Sequence, residues 1–221
     1  MNDAALTEKT GSAYRREALI AAQARTWEAV DEIGRRVRPG MRESEAKAIA
    51  HEVLVELGHD RRWHPNIVRV GSNTRLIWKE PSPEDLVLGK HDLFFIDLGP
   101  VFDGHEGDAG TTFVVGDDAE MQACAAACRE LWDRVATVWR ELRPTGRELY
   151  AFARKEAKAM GWVFHHDIKG HRVGDFPHAI HQTPTLGAIG HVPSDGLWIL
   201  EIQIRHPSRP FGAFHEDLLA D

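Results

Sequence analysis

Two short apolar runs in this chain each end in a carboxylate: Leu93-Phe94-Phe95-Ile96-Asp97 and Leu197-Trp198-Ile199-Leu200-Glu201. Runs of four apolar residues bounded by polar or glycine-containing turns read as buried strands. Packing alone does not call for an acid at the end of both. Asp97 is followed by Gly99 and by Asp103-Gly104, a good two-residue hairpin turn, and then by Asp108 next to a second β-like run, Thr111–Val115. With the turn there, Asp108 lies opposite Gly99 and on the same sheet face as Asp97. The missing side chain of Gly99 then leaves room for an ion between the two acids. Glu201 and Glu216 flank the Pro-containing segment His206–Pro210 and share a face if their strands pair through an even-length loop. Four converging carboxylates repel one another and resist burial unless cations neutralise them.

A histidine signal lies in Gly170-His171-Arg172-Val173-Gly174-Asp175-Phe176-Pro177-His178. Glycines on both sides of His171 let backbone approach closely, and Pro177 constrains the chain before His178. His171 reads as a fifth ligand, and His178 as a substrate-facing or supporting group. Carboxylates with one histidine suit manganese, iron, cobalt or zinc, and two such ions about 3.5–4 Å apart bind and activate a bridging water. A lone acid at a strand end is usually a solvated turn residue. Five ligand-type residues in repeat-related positions argue against that reading here. His165, His166 and His181 read equally well as plain surface residues.

The elements that must position these groups come in two copies. Arg38-Pro39-Gly40-Met41-Arg42-Glu43 recurs as Arg143-Pro144-Thr145-Gly146-Arg147-Glu148, each copy between two helical stretches. The helices that follow, over 43–57 and 147–160, close at Gly58 and Gly161. Val70-Gly71 is matched by Val173-Gly174 at the same offset, and Asp97 by Glu201. The reading is an α+β fold of two helix-helix-strand halves about a pseudo-two-fold axis, with an antiparallel sheet carrying the acids. Residues 25–221 form a single domain, and residues 1–24 an N-terminal extension that includes the start of the first helix.

At 221 residues, with 43% hydrophobic and 28% charged residues, the composition is that of an ordinary globular protein with no apolar run long enough for a bilayer. The polar N-terminus carries no export signal, so a cytoplasmic location is expected. A net charge of −7 without a basic stripe excludes the footprint of a nucleic-acid binder. The two cysteines, Cys124 and Cys128, read as packing residues in an Ala-rich helix.

On Asp97 in Phe95-Ile96-Asp97-Leu98-Gly99, Asp108 in Gly107-Asp108-Ala109-Gly110-Thr111-Thr112-Phe113, His171 and His178 with their glycines, Glu201 in Leu200-Glu201-Ile202 and Glu216 in Phe214-His215-Glu216-Asp217, the chain resembles the methionine aminopeptidase, prolidase and creatinase family. The resemblance runs from about Arg25 to the C-terminus and implies the pita-bread fold. It implies two metal ions, one held by Asp97 with Asp108 and Glu216 bridging, the other by those bridges with His171 and Glu201. It further implies a hydrolase in which a metal-bound hydroxide attacks an amide or amidino carbon. His178 would then contact the scissile group and steady the oxyanion, and Glu201 would move the proton.

One departure stands out. The peptidases carry a further histidine in the region of Ile77-Trp78-Lys79-Glu80-Pro81, where this chain has none, and the nearest, His64 and His91, sit in no matching pattern. With Trp78 and Lys79 on the substrate side, Lys79 is suited to a substrate carboxylate and a small acidic substrate is expected. The alternative is a non-peptidase metalloenzyme of the same fold: a lyase, decarboxylase or oxygen-using enzyme on a small acid. A metal-free binding module is disfavoured, because all five ligand positions are kept. The expected partners are a small-molecule or short peptide substrate, with neither nucleic acid nor membrane; a homodimer is compatible with the sequence.

Overall fold

The computed structural model describes residues 7–178 and 184–221. His181 lies outside them. The first half runs α1 (Arg16–Arg36), α2 (Glu43–Glu56), β1 (Arg61–Arg62), β2 (Ile67–Val70), β3 (Asp92–Leu98), β4 (Pro100–Phe102), β5 (His105–Glu106) and β6 (Ala109–Val115). The second runs α3 (Ala119–Leu142), α4 (Gly146–Ala159), β7 (Val163–Phe164), β8 (His171–Arg172), β9 (Trp198–Arg205) and β10 (Gly212–Leu218). Helix α1 begins inside the 1–24 segment and continues past it.

The repeated Arg-Pro segments are the entries to α2 and α4. Glu45 accepts the backbone N–H of Arg42 at 2.7 Å, and Glu148 that of Thr145 at 2.8 Å. These bonds satisfy donors at the two helix starts that would otherwise lack partners. Both helices stop before a glycine with positive φ, Gly58 at 67° and Gly161 at 86°, a conformation that only glycine reaches without strain.

The main sheet has the order β2-β3-β6-β10-β9-β7, with β8 also pairing β9, and every pairing is antiparallel. Strand order is therefore mirrored about the β6–β10 pair, as two related halves require. A small sheet, β1-β4-β5, extends the first half.

Helices α1 to α4 pack against one face of the main sheet, with Leu19 at the start of α1 reaching Ile199 and Leu218 beyond it. Phe94, Ile96 and Leu98 join α1 and α2 in one core, while Trp198, Leu200, Ile202 and Ile204 join α3 and α4 in the other. Cys124 and Cys128 are buried in this second core, where burial pushes both thiols up. Full burial of each such large side chain is worth about 1.5–3 kcal/mol. Because side chains alternate along a strand, the residues between them, Phe95, Asp97, Ile199, Glu201 and Gln203, face away from these two cores, and Ile199 packs with Leu19 at the start of α1. No helix among the described residues is long and apolar enough to cross a membrane.

Candidate metal centre

Four sheet positions form one row across the face away from the helices. Asp97 pairs with Gly110, Gly110 with Glu216, and Glu216 with Glu201. Residues directly opposite share a face, so three carboxylates and one bare position line up across β3, β6, β10 and β9. A Cβ at Gly110 would stand 2.6 Å from the Ile96 carbonyl and 2.9 Å from Glu216 Oε1, so only glycine leaves the row its space.

Asp108 joins from the start of β6. The hairpin turns at Asp103-Gly104, both with positive φ (50° and 70°), as a two-residue turn of the favoured hand needs. The register Leu98↔Ala109 and Val101↔Glu106 places Asp108 across from Gly99, the arrangement expected from sequence. His171 in β8 pairs with Ile199, which shares its face with Glu201. His171 Nε2 lies 2.7 Å from Asp108 Oδ2 and 3.9 Å from Glu201 Oε1. All five residues expected as ligands thus converge.

Each half clamps its own carboxylate strand from a helix. Gln23 of α1 donates to the Asp108 carbonyl at 2.6 Å and accepts the Asp108 N–H at 2.9 Å. The Tyr150 hydroxyl of α4 donates to the Glu201 carbonyl at 3.0 Å and accepts the Glu201 N–H at 3.2 Å. Neither residue was singled out from the sequence, because a buried polar side chain on a helix face looks like any other until its strand partner is known.

One expectation needs correction. The space over Gly99 does not lie open between the two acids: the His64 ring fills it, and a Cβ at Gly99 would come within 2.3 Å of His64 Nε2. His64 Nε2 lies 3.4 Å from both Asp97 Oδ1 and Asp108 Oδ1. His64 sits in no matching sequence pattern, and its place before β2 depends on an irregular segment. The glycine across from Asp108 was the available clue that something large must fit there.

The electrostatics are those of a site built for positive charge. Burial and the neighbouring acids push Glu216 and Asp97 up, although His64 counters the rise at Asp97, and burial pushes Glu201 up. Asp108 stays low despite burial, because His171 and His64 both face it. Burial alone would lower the two imidazoles, but the acids outweigh it and lift His64 to about 9 and His171 to about 10. Asp108 and Glu216 are each 1% exposed. Asp108 Oδ2 has only the His171 ring beside it, at 2.7 Å, and Glu216 Oε1 has no hydrogen-bond partner. A buried carboxylate oxygen without a partner is costly, and a cation is the partner this donor set fits. His64, Asp97 and Asp108 form one group of clustered ligand atoms, and Asp108, His171 and Glu216 another.

His178 is engaged elsewhere. Its Nε2 is bonded to the Lys9 carbonyl and its Nδ1 lies 3.4 Å from an Arg172 nitrogen. A carbonyl only accepts, so Nε2 carries the proton. Trp78, Leu76, Ile77, Phe95, Ile168 and Phe214 line a small cavity that reaches Asp97, Glu201 and Gln203. Lys79 is exposed, with its ammonium 5.2 Å from the centre of the Trp78 ring. His166 is exposed, while His165 is 5% exposed and packs against the His166 ring.

The model of Metallopeptidase family M24 matches residues 17–220. No curated protein matches the chain. Among solved structures, a prolidase from Pyrococcus furiosus superposes with TM-score 0.79 at 24% identity, covering 98% of this chain and 64% of that one. An X-Pro aminopeptidase from Thermotoga maritima gives 0.76 at 22%, over 90% and 56%. A methionine aminopeptidase from Thermotoga maritima gives 0.75 at 19%, over 96% and 95%. The fold is thus the pita-bread fold, and the chain spans under two thirds of the prolidase and of the X-Pro aminopeptidase.

Proposed function

The chain belongs to metallopeptidase family M24, and from that premise we propose that it is a metal-dependent hydrolase of the amide bond in a short peptide, working with two divalent ions. The observation that carries this reading is the row Asp97–Gly110–Glu216–Glu201 with Asp108 and His171 against it, since so many buried carboxylates repel one another and resist burial unless cations neutralise them. Asp108 and Glu216, at the middle of the cluster, would bridge the ions; Asp97 would complete one site, and His171 with Glu201 the other. Bound there, divalent ions supply an activated water and a positive field for the developing oxyanion.

The chain's own groups do the rest. Glu201 Oε2 accepts the Gly170 N–H at 2.8 Å, which fixes the carboxylate at the metal site, where it would also take and return a proton. His178 presents Nε2–H to a carbonyl oxygen already, that of Lys9. In turnover a substrate carbonyl would take that place, with the imidazole as an oxyanion donor. The apolar cavity beside Asp97 and Glu201 would receive an apolar side chain and exclude water from the reacting bond.

Lys79 favours a second reading. An ammonium next to Trp78, where the peptidases carry a histidine, suits a substrate carboxylate, whether the free end of a dipeptide or a small acid turned over by non-peptidase chemistry. Metal analysis of the purified protein, followed by assays of dipeptides, N-terminal Met and Pro peptides and small amino or amidino acids with manganese, iron, cobalt and zinc, separates these readings. Turnover of peptides supports the first. Turnover of small acids alone supports the second, and a protein that takes up no metal sinks both.

A further inference from the structure

His64 and His171 are built alike. The Nδ1 of His64 lies 2.7 Å from the Pro65 carbonyl, and that of His171 lies 2.9 Å from the Arg172 carbonyl. A carbonyl cannot donate, so Nδ1 carries a proton in both rings and Nε2 is the nitrogen presented to the acids. The edge of the Trp63 indole separates the two rings, with centroids 4.4 Å from His64 and 5.1 Å from His171, and is itself fixed by donating to the Gly107 carbonyl at 3.0 Å. Backbone carbonyls that fix the far nitrogen are the usual support of metal-ligating histidines.

The two rings divide Asp108 between them. His171 faces Oδ2 and His64 faces Oδ1. From Oδ1, His64 Nε2 is 3.4 Å away, and it is the same distance from Asp97 Oδ1. That is long for a charge-assisted hydrogen bond, which runs at about 2.7–2.9 Å. Nitrogen and oxygen ligands sit about 2.0–2.2 Å from a transition metal ion, and two such ligands on one ion stand about 3.0–3.4 Å apart by simple geometry. Gly99 lacks the one atom that would push His64 out of this position.

We infer that His64 is a ligand of the ion at the Asp97 end, so that each ion receives one imidazole, His64 on one side and His171 on the other. The inference rests on the proposed metal centre and adds a sixth protein ligand to the five expected from sequence. With nitrogen at both ends, the centre takes divalent first-row transition ions in preference to magnesium or calcium, which favour all-oxygen sites.

The test loads the metal-free protein with cobalt(II) and counts hyperfine-shifted, exchangeable imidazole N–H resonances, alongside calorimetric titration. Two such resonances and two bound equivalents are expected. His64→Ala should remove one resonance and weaken one equivalent by at least tenfold while the other stays. Gly99→Ala, which keeps His64 but displaces its ring, should do the same. Circular dichroism and thermal melts establish that both variants are folded. One resonance, lost only in His171→Ala, with two equivalents bound, overturns the role of His64 and leaves the metal centre standing. No bound cobalt in the wild-type protein overturns both.

Discussion

At the scale of single residues, the groups that hold ions are distinct from the groups that meet substrate. Glu216→Gln keeps the shape of the row but removes a charge from its middle, so both ions should be lost or weakened together. Mass-spectrometric metal counts check this, and two retained equivalents would contradict a bridging role. His178→Ala should leave the metal count unchanged and lower turnover by roughly 10²–10³, the range for one lost oxyanion donor; a collapse of the metal count would make His178 a ligand. Asp97 and Asp108 were legible in the sequence because strand period and a two-residue turn suffice to set them on one face, whereas Glu201 and Glu216 needed an even-length loop as a further condition and His171 was marked by its flanking glycines. His64 was not, since its place depends on an irregular approach to β2 and on a contact across to Gly99. Gln23 and Tyr150 escaped for a related reason: their partners are backbone atoms of strands far away in the chain.

At the scale of elements, Glu43 shows how the first helix pair is tied to the sheet beneath it. From the start of α2 its carboxylate accepts from the Val70 N–H at 3.0 Å, Asn73 at 2.9 Å, Lys47 at 2.9 Å and the Ser82 hydroxyl. It therefore anchors β2 and the stretch that leads from Asn73 past Trp78 to Ser82. Burial pushes this acid up, but the hydrogen bonds outweigh it and hold its pKa below 4.5. A carboxylate depressed in the folded state stabilises the protein above its unfolded pKa and loses that contribution as pH falls through the folded one. Glu43→Gln should accordingly cost about 2 kcal/mol at pH 7, the scale of charge-assisted bonds, and the difference from wild type should shrink below about pH 4.5. Denaturant titrations at pH 7 and pH 4 measure it; a constant difference would mean that the charge contributes nothing. The helix pairs themselves were readable from the repeated Arg-Pro entries and the closing glycines. The network was not, because Glu43 looks like an ordinary first-turn acid.

At the scale of the whole molecule, the two halves meet at β6 and β10, and the acids stand on both sides of that seam. The fold therefore brings together charges that oppose its closure, and the ions that neutralise them should also fasten the halves. Binding to the folded state alone adds about 2.7 kcal/mol when free metal is one hundred times its dissociation constant. The melting temperature should rise with manganese or cobalt and fall with a chelator, and Asp108→Ala should abolish the metal-dependent part. A melting temperature indifferent to both would mean that the ions, if bound at all, are not part of the fold's stability. The mirrored strand order was implied by the internal repeat, whereas the filling of the Asp97 end by an imidazole became visible only once both halves were assembled.

The central claim is that a pair of ions sits on the face opposite the helices. Anomalous diffraction at the metal edge, from crystals of the full chain grown with cobalt or manganese, tests it most directly. The account predicts two peaks about 3.5–4 Å apart, both touching Asp108 and Glu216, one flanked by Asp97 and the other by His171 and Glu201. No anomalous peak within reach of those carboxylates, or a peak only at a surface group such as His165, His166 and Asp167, would contradict it.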